Sequence, residues 1–512
     1  MRILMGGLCA ILLAAILPQP AVPIAAAAGM CEQLSSLALP GTTITLAQKV
    51  AAGAFVPPAT GAPGAPGAGQ AFASLPAFCR IAAVLKPSSD SNIEMETWLP
   101  IDNWNGKFQA VGNGGWAGVI SYPAMAAALR EGYATASTDT GHKGGDAAFG
   151  IGHPEKITDF AFRAVHETTV KSKAFVSAFY DRVPRLSYWN GCSTGGRQGL
   201  MEAQKYPEDF DAIVAGAPAN YQTHLHAWDL GVAVPALKDA ASAVPAAKLA
   251  MLNKAVLSAC DAGDGVKDGV LNNPRACHFN PETLQCRGGA NDDSCLTAPQ
   301  VESVKRMYSP AKTKTGEAIF PGKDPGSELG WTAISGGTQP AGVSLGSFRV
   351  AYADTNWDWK NFDLDRDLKV VDERVGATIN AINPDLSAFK ARGGKLLLYH
   401  GWNDTAISAG NAVNYYSSVI AKMGPKQDDW IRLFMAPGMQ HCGGGPGPNQ
   451  VNYVAALERW REAGTAPDQL LASHVTDNRV DMTRPLCPYP QVAVYKGAGS
   501  TNDAASFVCK AP

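Results

Sequence analysis

The chain has 512 residues, 46% of them hydrophobic, and a formal net charge of -2. That apolar share is ample for a large core, while the near-neutral balance supplies no field that would draw the chain to nucleic acid or to an anionic membrane. A small or neutral partner is expected instead.

Residues 1–28 read as a leader that is removed. Arg2 supplies a positive start, an apolar run covers Leu8 to Leu17, and the small residues Ala25, Ala26, Ala27 and Ala28 suit a signal peptidase. The run is too short to span a bilayer, and no later segment is long and apolar enough. The mature protein is therefore expected to be soluble and either periplasmic or secreted. Of eleven cysteines, Cys9 falls in the leader. The ten others are Cys31, Cys79, Cys192, Cys260, Cys277, Cys286, Cys295, Cys442, Cys487 and Cys509. An even number in an exported chain predicts five disulfides rather than free thiols. The cysteines lack the close Cys-x-x-Cys spacing of a zinc site.

The Ala, Gly and Pro of Ala54 to Gly69 predict an exposed loop. Strands are predicted at Ile81–Leu85, Ile93–Leu99, Phe108–Val111 and Tyr133–Ser137, then a helix at Ala161–Tyr180. Leu186–Asn190 reads as a strand, Gly196–Lys205 as a helix and Ala212–Val214 as a buried strand. From Ala217 to Ser387 loops and Gly-Pro turns dominate. Buried parallel strands resume at Lys395–His400 and Trp430–Ala436. Alternating strands and helices predict an α/β fold around a mostly parallel sheet, formed by residues 29–216 and 388–512, with residues 217–387 as a large insertion.

Gly191-Cys192-Ser193-Thr194-Gly195 fits G-x-S-x-G. The pattern suits a sharp strand-to-helix turn that exposes the serine hydroxyl in strained backbone. A predicted strand precedes the motif and a predicted helix follows it, so the amide of Thr194 would lie at the helix start, aimed at a developing oxyanion. A serine needs a base, and the base an orienting carboxylate. Asp404 ends the loop after Leu396-Leu397-Leu398-Tyr399-His400-Gly401-Trp402-Asn403, and His441 lies in the Pro437–Gly444 loop after the next strand. The chain order serine, acid, histidine is then complete. His474 is a rival base without that setting. Cys192 and Cys442 each adjoin a proposed catalytic residue, and a bond between them would tie the serine turn to the histidine loop. The second oxyanion donor is expected in Gly112-Asn113-Gly114-Gly115-Trp116, with Gly115 preferred and Gly112 or Gly114 as alternatives.

The stretch Cys260 to Val270 is rich in aspartate and glycine and resembles a calcium loop, although its spacing is not that of an EF-hand. Asp261, Asp264 and Asp268 would ligate by side chain, and Val266 and Val270 by backbone oxygen. An Asp/Gly surface turn is the alternative.

Together these segments resemble the tannase and feruloyl esterase family, which includes the hydrolase of mono(2-hydroxyethyl) terephthalate. The matching text is Gly191–Arg197, Tyr399–Asp404, Pro437–Cys442, the Cys260–Cys277 loop and Arg484-Pro485-Leu486-Cys487-Pro488-Tyr489-Pro490. The resemblance runs from Cys31 to Cys509. It implies an α/β-hydrolase core with a lid inserted before the acid strand, a triad of Ser193, Asp404 and His441, oxyanion donors Gly115 and Thr194, and a structural Ca2+ in the lid. It implies the pairs Cys31–Cys79, Cys192–Cys442, Cys260–Cys277, Cys286–Cys295 and Cys487–Cys509. It also places His400 and Ile407 near the substrate. The terephthalate enzyme carries an aromatic residue where this chain has Ile407, and Glu where it has Thr194. A phenolic ester such as a ferulate or gallate is therefore expected over a terephthalate monoester. An acyltransferase on the same triad is a further alternative, and a noncatalytic calcium-dependent carbohydrate-binding protein a remote one.

Overall fold

A computed structural model describes residues 30–58, 70–335 and 338–512. The predicted leader, with Cys9, and residues 59–69 of the Ala/Gly/Pro stretch lie outside the described residues. Of the rest of that stretch, Phe55 is not loop surface. It is buried, with its ring 4.6 Å from Trp98 and 5.2 Å from Phe72.

Nine strands form the central sheet. They are β1 (Thr42–Val50), β2 (Phe78–Leu85), β3 (Ile93–Pro100), β4 (Lys107–Val111), β5 (Ala134–Thr138), β6 (Leu186–Cys192), β7 (Ala212–Gly216), β10 (Lys395–Gly401) and β11 (Ile431–Ala436). A two-residue strand β8 (Ala311–Lys312) pairs with β9 (Ala318–Phe320) apart from this sheet. The sheet order is β1-β2-β3-β5-β4-β6-β7-β10-β11. Pairing is parallel from β5 to β11 and antiparallel from β1 to β5. Every residue of β4, β5 and β7 is buried, as expected of strands covered on both faces. Strand β1, which the sequence reading misses, alternates at the sheet's edge and carries an irregularity between Ile44 and Leu46, so its apolar signal is diluted.

Helices cover both faces. Phe175, Val176 and Phe179 of the Ala164–Tyr180 helix, Leu200 and Met201 of the Thr194–Lys205 helix, and Val413 and Val419 of the Gly410–Met423 helix join one core cluster with the sheet. On the other face Ala456, Leu457 and Trp460 of the Tyr453–Ala463 helix pack against Leu397 and Phe434. The helix predicted from Ala161 is preceded by a π-helical turn at Asp159–Arg163. The carbonyls of Phe160 and Ala161 there accept from the Arg197 guanidinium.

The insertion between β7 and β10 differs from the loop-dominated reading. It holds helices at Gln222–Lys238, Ala246–Cys260, Ala298–Tyr308 and Gly342–Tyr352. They share a separate apolar cluster, including Trp228, Leu252, Val304, Trp331 and Phe348. The Gln222–Lys238 helix is buried nearly all round, so it lacks the single apolar stripe by which surface helices are recognised. Past β11 the chain adds two hairpins. One joins β12 (Leu470–Thr476) to β13 (Arg479–Leu486), the other β14 (Val492–Tyr495) to β15 (Phe507–Lys510).

Candidate active site

Strand β6 ends at Cys192 and a helix begins at Thr194, so Ser193 alone makes the turn, at φ 64° and ψ -123°. A positive φ is unusual for a residue with a Cβ, and persists only where the surroundings over-determine it. Here the Ser193 amide donates to the Gly216 carbonyl at 3.0 Å and the Gly195 amide to the Asn113 carbonyl at 2.8 Å. Close approach accounts for the flanking glycines. A Cβ on Gly191 would lie 2.5 Å from the Gly195 carbonyl oxygen, and one on Gly195 would lie 3.1 Å from Gly112. Gln198 then locks the facing loop. Its Oε1 accepts from the Asn113 amide and its Nε2 donates to the Asn113 side chain, both at 3.1 Å. Thr194 donates its hydroxyl to the Gly115 carbonyl at 2.8 Å.

The predicted residues converge on one cavity of about 420 Å³. Ser193, Thr194, Gly115, Ile407 and His441 all line it, together with insertion residues such as Leu225, His226 and Val343. Of the three candidate glycines only Gly115 borders it; Gly112 packs against the serine turn instead. The indole of Trp116 donates to the Val343 carbonyl at 2.9 Å, pinning this loop to the insertion.

Asp404 is fully buried and holds His441. The His441 Nδ1 lies 2.7 Å from Asp404 Oδ2. Because the carboxylate only accepts, Nδ1 carries the proton and Nε2 is left free as a base. The other oxygen, Oδ1, accepts from the amides of Ala406 and Ile407, each at 2.8 Å. Burial alone would raise the Asp404 carboxyl. Hydrogen bonds from His400 and His441 outweigh it and hold Asp404 well below the usual carboxylate range.

His400 is not where the resemblance implies. It is fully enclosed and does not border the cavity. Its Nε2 faces two acceptors, Asp404 Oδ2 at 3.0 Å and the Ile407 carbonyl at 3.1 Å, so it donates from behind the acid. Strand β10 carries its side chain into the interior rather than toward solvent. His474 sits in the β12–β13 hairpin, 2.7 Å from Asp481, and also lies away from the cavity.

Cys192 and Cys442 are bonded, with Cα atoms 5.9 Å apart across 250 residues of sequence. The other pairs are Cys31–Cys79, Cys260–Cys277, Cys286–Cys295 and Cys487–Cys509. The histidine loop also needs Gly401, since a Cβ there would meet the Met439 carbonyl oxygen at 2.2 Å. Sequence reading misses Asn113, Gln198 and the lining residues of the insertion. Of these, Asn113 lies inside the glycine-rich segment and Gln198 three residues past the G-x-S-x-G pattern, while the insertion residues stand in no motif.

The aspartate-rich loop is folded around its own amides. Asp261 accepts from Gly269, Asp264 from Val266 and Asn272, and Asp268 from Val270. Arg484, buried and stacked 3.9 Å from the Phe507 ring, donates to Asp268. Burial and then mutual repulsion raise the carboxyls of Asp264 and Asp268, which is the environment a divalent cation relieves. The donor set, three carboxylates with backbone oxygens, is of the chemistry that calcium takes, with Asp268 also paired to Arg484. A different group, His166, Glu202 and Asp209, has ligand atoms within 4.8 Å of one another. Burial and the neighbouring Asp209 push the Glu202 carboxyl well above its ordinary range, and neither of its oxygens has a hydrogen-bond partner among the described residues.

The family model for tannase and feruloyl esterase matches residues 79–510. An uncharacterized esterase of Xanthomonas campestris pv. campestris is 38% identical over 544 aligned residues, covering 95% of this chain and 92% of that protein. A probable feruloyl esterase B-1 of Aspergillus flavus is 35% identical over 455, covering 84% of this chain and 86% of the relative. The crystal structure of feruloyl esterase B from Aspergillus oryzae superposes with a TM-score of 0.88 at 32% identity, over 94% of this chain and 100% of that one. The sheet with its inserted helices is thus an α/β-hydrolase-type fold, and the chain belongs to the tannase and feruloyl esterase family of carboxylic ester hydrolases.

Proposed function

We propose that the protein is an exported serine esterase for esters of aromatic, phenolic carboxylic acids, with Ser193 as nucleophile. The observation that carries this reading is the meeting of Ser193, at positive φ, and His441, held by Asp404, in one mostly apolar cavity. Relatives named feruloyl esterase support the acyl group.

In this mechanism His441 Nε2 takes the proton of Ser193 as its Oγ attacks the ester carbonyl. Asp404 stabilises the imidazolium that forms. The amides of Gly115 and Thr194 receive the oxyanion. The alcohol leaves with the proton returned by His441, and water then releases the aromatic acid by the same steps. Asp261, Asp264 and Asp268, with the carbonyls of Val266 and Val270, would hold a structural Ca2+ that braces the loop. Residues 217–387 act as the lid. Five disulfides suit the oxidising conditions of the periplasm or the cell exterior, and no described helix is long and apolar enough to cross a membrane.

The test is hydrolysis of methyl ferulate and methyl gallate by the purified enzyme and by Ser193→Ala. The variant is expected to lose about 10⁴-fold or more in kcat. Near-normal turnover by Ser193→Ala would end this reading.

A further inference from the structure

One face of the Gln222–Lys238 helix borders the catalytic cavity. Gln222, Leu225, His226, Asp229 and Ala233 line it, the i, i+3, i+4, i+7 and i+11 positions of a single stripe. The facing wall is largely apolar, with Ala219, Ile334, Val343 and Ile407. The stripe sets two acceptors into that wall. Asp229 is held by Ser344, whose hydroxyl donates to Oδ2 at 2.6 Å. Gln222 is buried, and its Oε1 has no hydrogen-bond partner among the described residues.

The charges around these acceptors define what they accept. Burial pushes the Asp229 carboxyl up to about 6, with Lys323 the principal opposing influence. Lys323 does not border the cavity; its ammonium lies 4.7 Å from the centre of the Trp228 ring. His226 brings no compensating cation, because burial drives its imidazole down to about 3, and its Nδ1 lies 2.8 Å from the Ser347 hydroxyl. The cavity wall therefore offers hydrogen-bond acceptors and one carboxylate, and no Lys or Arg lines it.

We propose that Asp229 accepts the ring hydroxyl of a phenolic acyl group and so sets substrate choice, while Gln222, two helical turns away, lines the same wall. This rests on the serine-esterase reading above. An acceptor buried in an apolar wall is costly when unpaired, and a ring hydroxyl supplies its donor. A ring with a methyl ether or hydrogen in that place gives Asp229 no donor beyond the Ser344 hydroxyl, which is how a hydrogen-bonding site disfavours an analogue. An acyl group with a second carboxylate, as in a terephthalate monoester, meets Asp229 as a like charge. The subsite thus separates the two substrate classes that the sequence leaves open.

The experiment compares kcat/KM for methyl 4-hydroxycinnamate, methyl 4-methoxycinnamate and mono(2-hydroxyethyl) terephthalate. Wild-type enzyme is expected to favour the hydroxy over the methoxy ester by roughly 10- to 100-fold. Asp229→Ala should lower that ratio at least about tenfold. The near-isosteric Asp229→Asn, checked for an unchanged melting temperature, should raise the relative rate on the terephthalate monoester. Equal kcat/KM of wild type on the two cinnamates overturns the subsite alone. So does a ratio that survives both substitutions. Wild type inactive on every aromatic ester overturns the esterase reading and the subsite with it.

Discussion

Asp404 accepts four hydrogen bonds, two from imidazoles and two from amides, within a fully buried site. Each favours the ionised form, and together they explain why the carboxyl lies below its ordinary range despite burial. Asp404→Asn should reduce kcat by about 10³- to 10⁴-fold, because the amide no longer enforces the His441 tautomer. The same substitution has a pH signature. The folded-state value is below that of the unfolded chain, so the carboxylate's stabilisation is complete above roughly pH 4 and is lost as pH falls through the depressed value. The difference in unfolding free energy between wild type and Asp404→Asn should therefore shrink below about pH 4 in urea titrations. A difference that stays constant there contradicts the assignment. In the proposed mechanism His400 acts through Asp404 rather than on substrate. His400→Ala should lower kcat by about tenfold with KM little changed, whereas a substrate contact would raise KM. The sequence names His400 but not its direction: a residue at a strand end faces either layer, and only the packed sheet decides.

At the scale of elements, the disulfide between Cys192 and Cys442 joins the serine turn to the histidine loop. Each loop has further ties, Gln198 to Asn113 and Gly401 beneath Met439. The paired substitution Cys192→Ser/Cys442→Ser should cost about 2–4 kcal/mol in thermal or urea unfolding, with a kcat loss larger than any change in KM. An unchanged kcat would make the bridge structural only. The elements that carry the proposed chemistry are legible because they are short apolar runs that end in or beside a glycine-containing turn. β6, β10 and β11 read correctly to within two residues at each end. Less legible are β1, diluted by its exposed edge, and the helices of the insertion, whose faces are buried on several sides. The same burial hides Asp229 and Gln222, which stand in no motif and matter only through the cavity they share with Ser193.

Across the whole molecule, Arg484 in β13 links the aspartate-rich loop of the insertion to the C-terminal hairpins, and Cys487–Cys509 closes those hairpins. A cation bound at the loop, as proposed, would therefore brace the insertion against the C-terminal hairpins. Chelation with EGTA should lower the melting temperature by about 5 °C, reversibly on adding Ca2+. Asp264→Asn should abolish that response, and a melting temperature insensitive to chelation would remove calcium from the account. Length, alternation of strands and helices, and an even cysteine count make the overall α/β plan readable. The antiparallel flank and the separate core of the insertion are not readable, since they depend on pairings distant in sequence. The most direct test of the central claim is rapid-quench peptide mass spectrometry during methyl ferulate turnover. The account predicts a feruloyl adduct on the peptide that contains Ser193, accumulating within the first turnover. Turnover with the adduct on another residue, or with no acyl-enzyme at all, would contradict it.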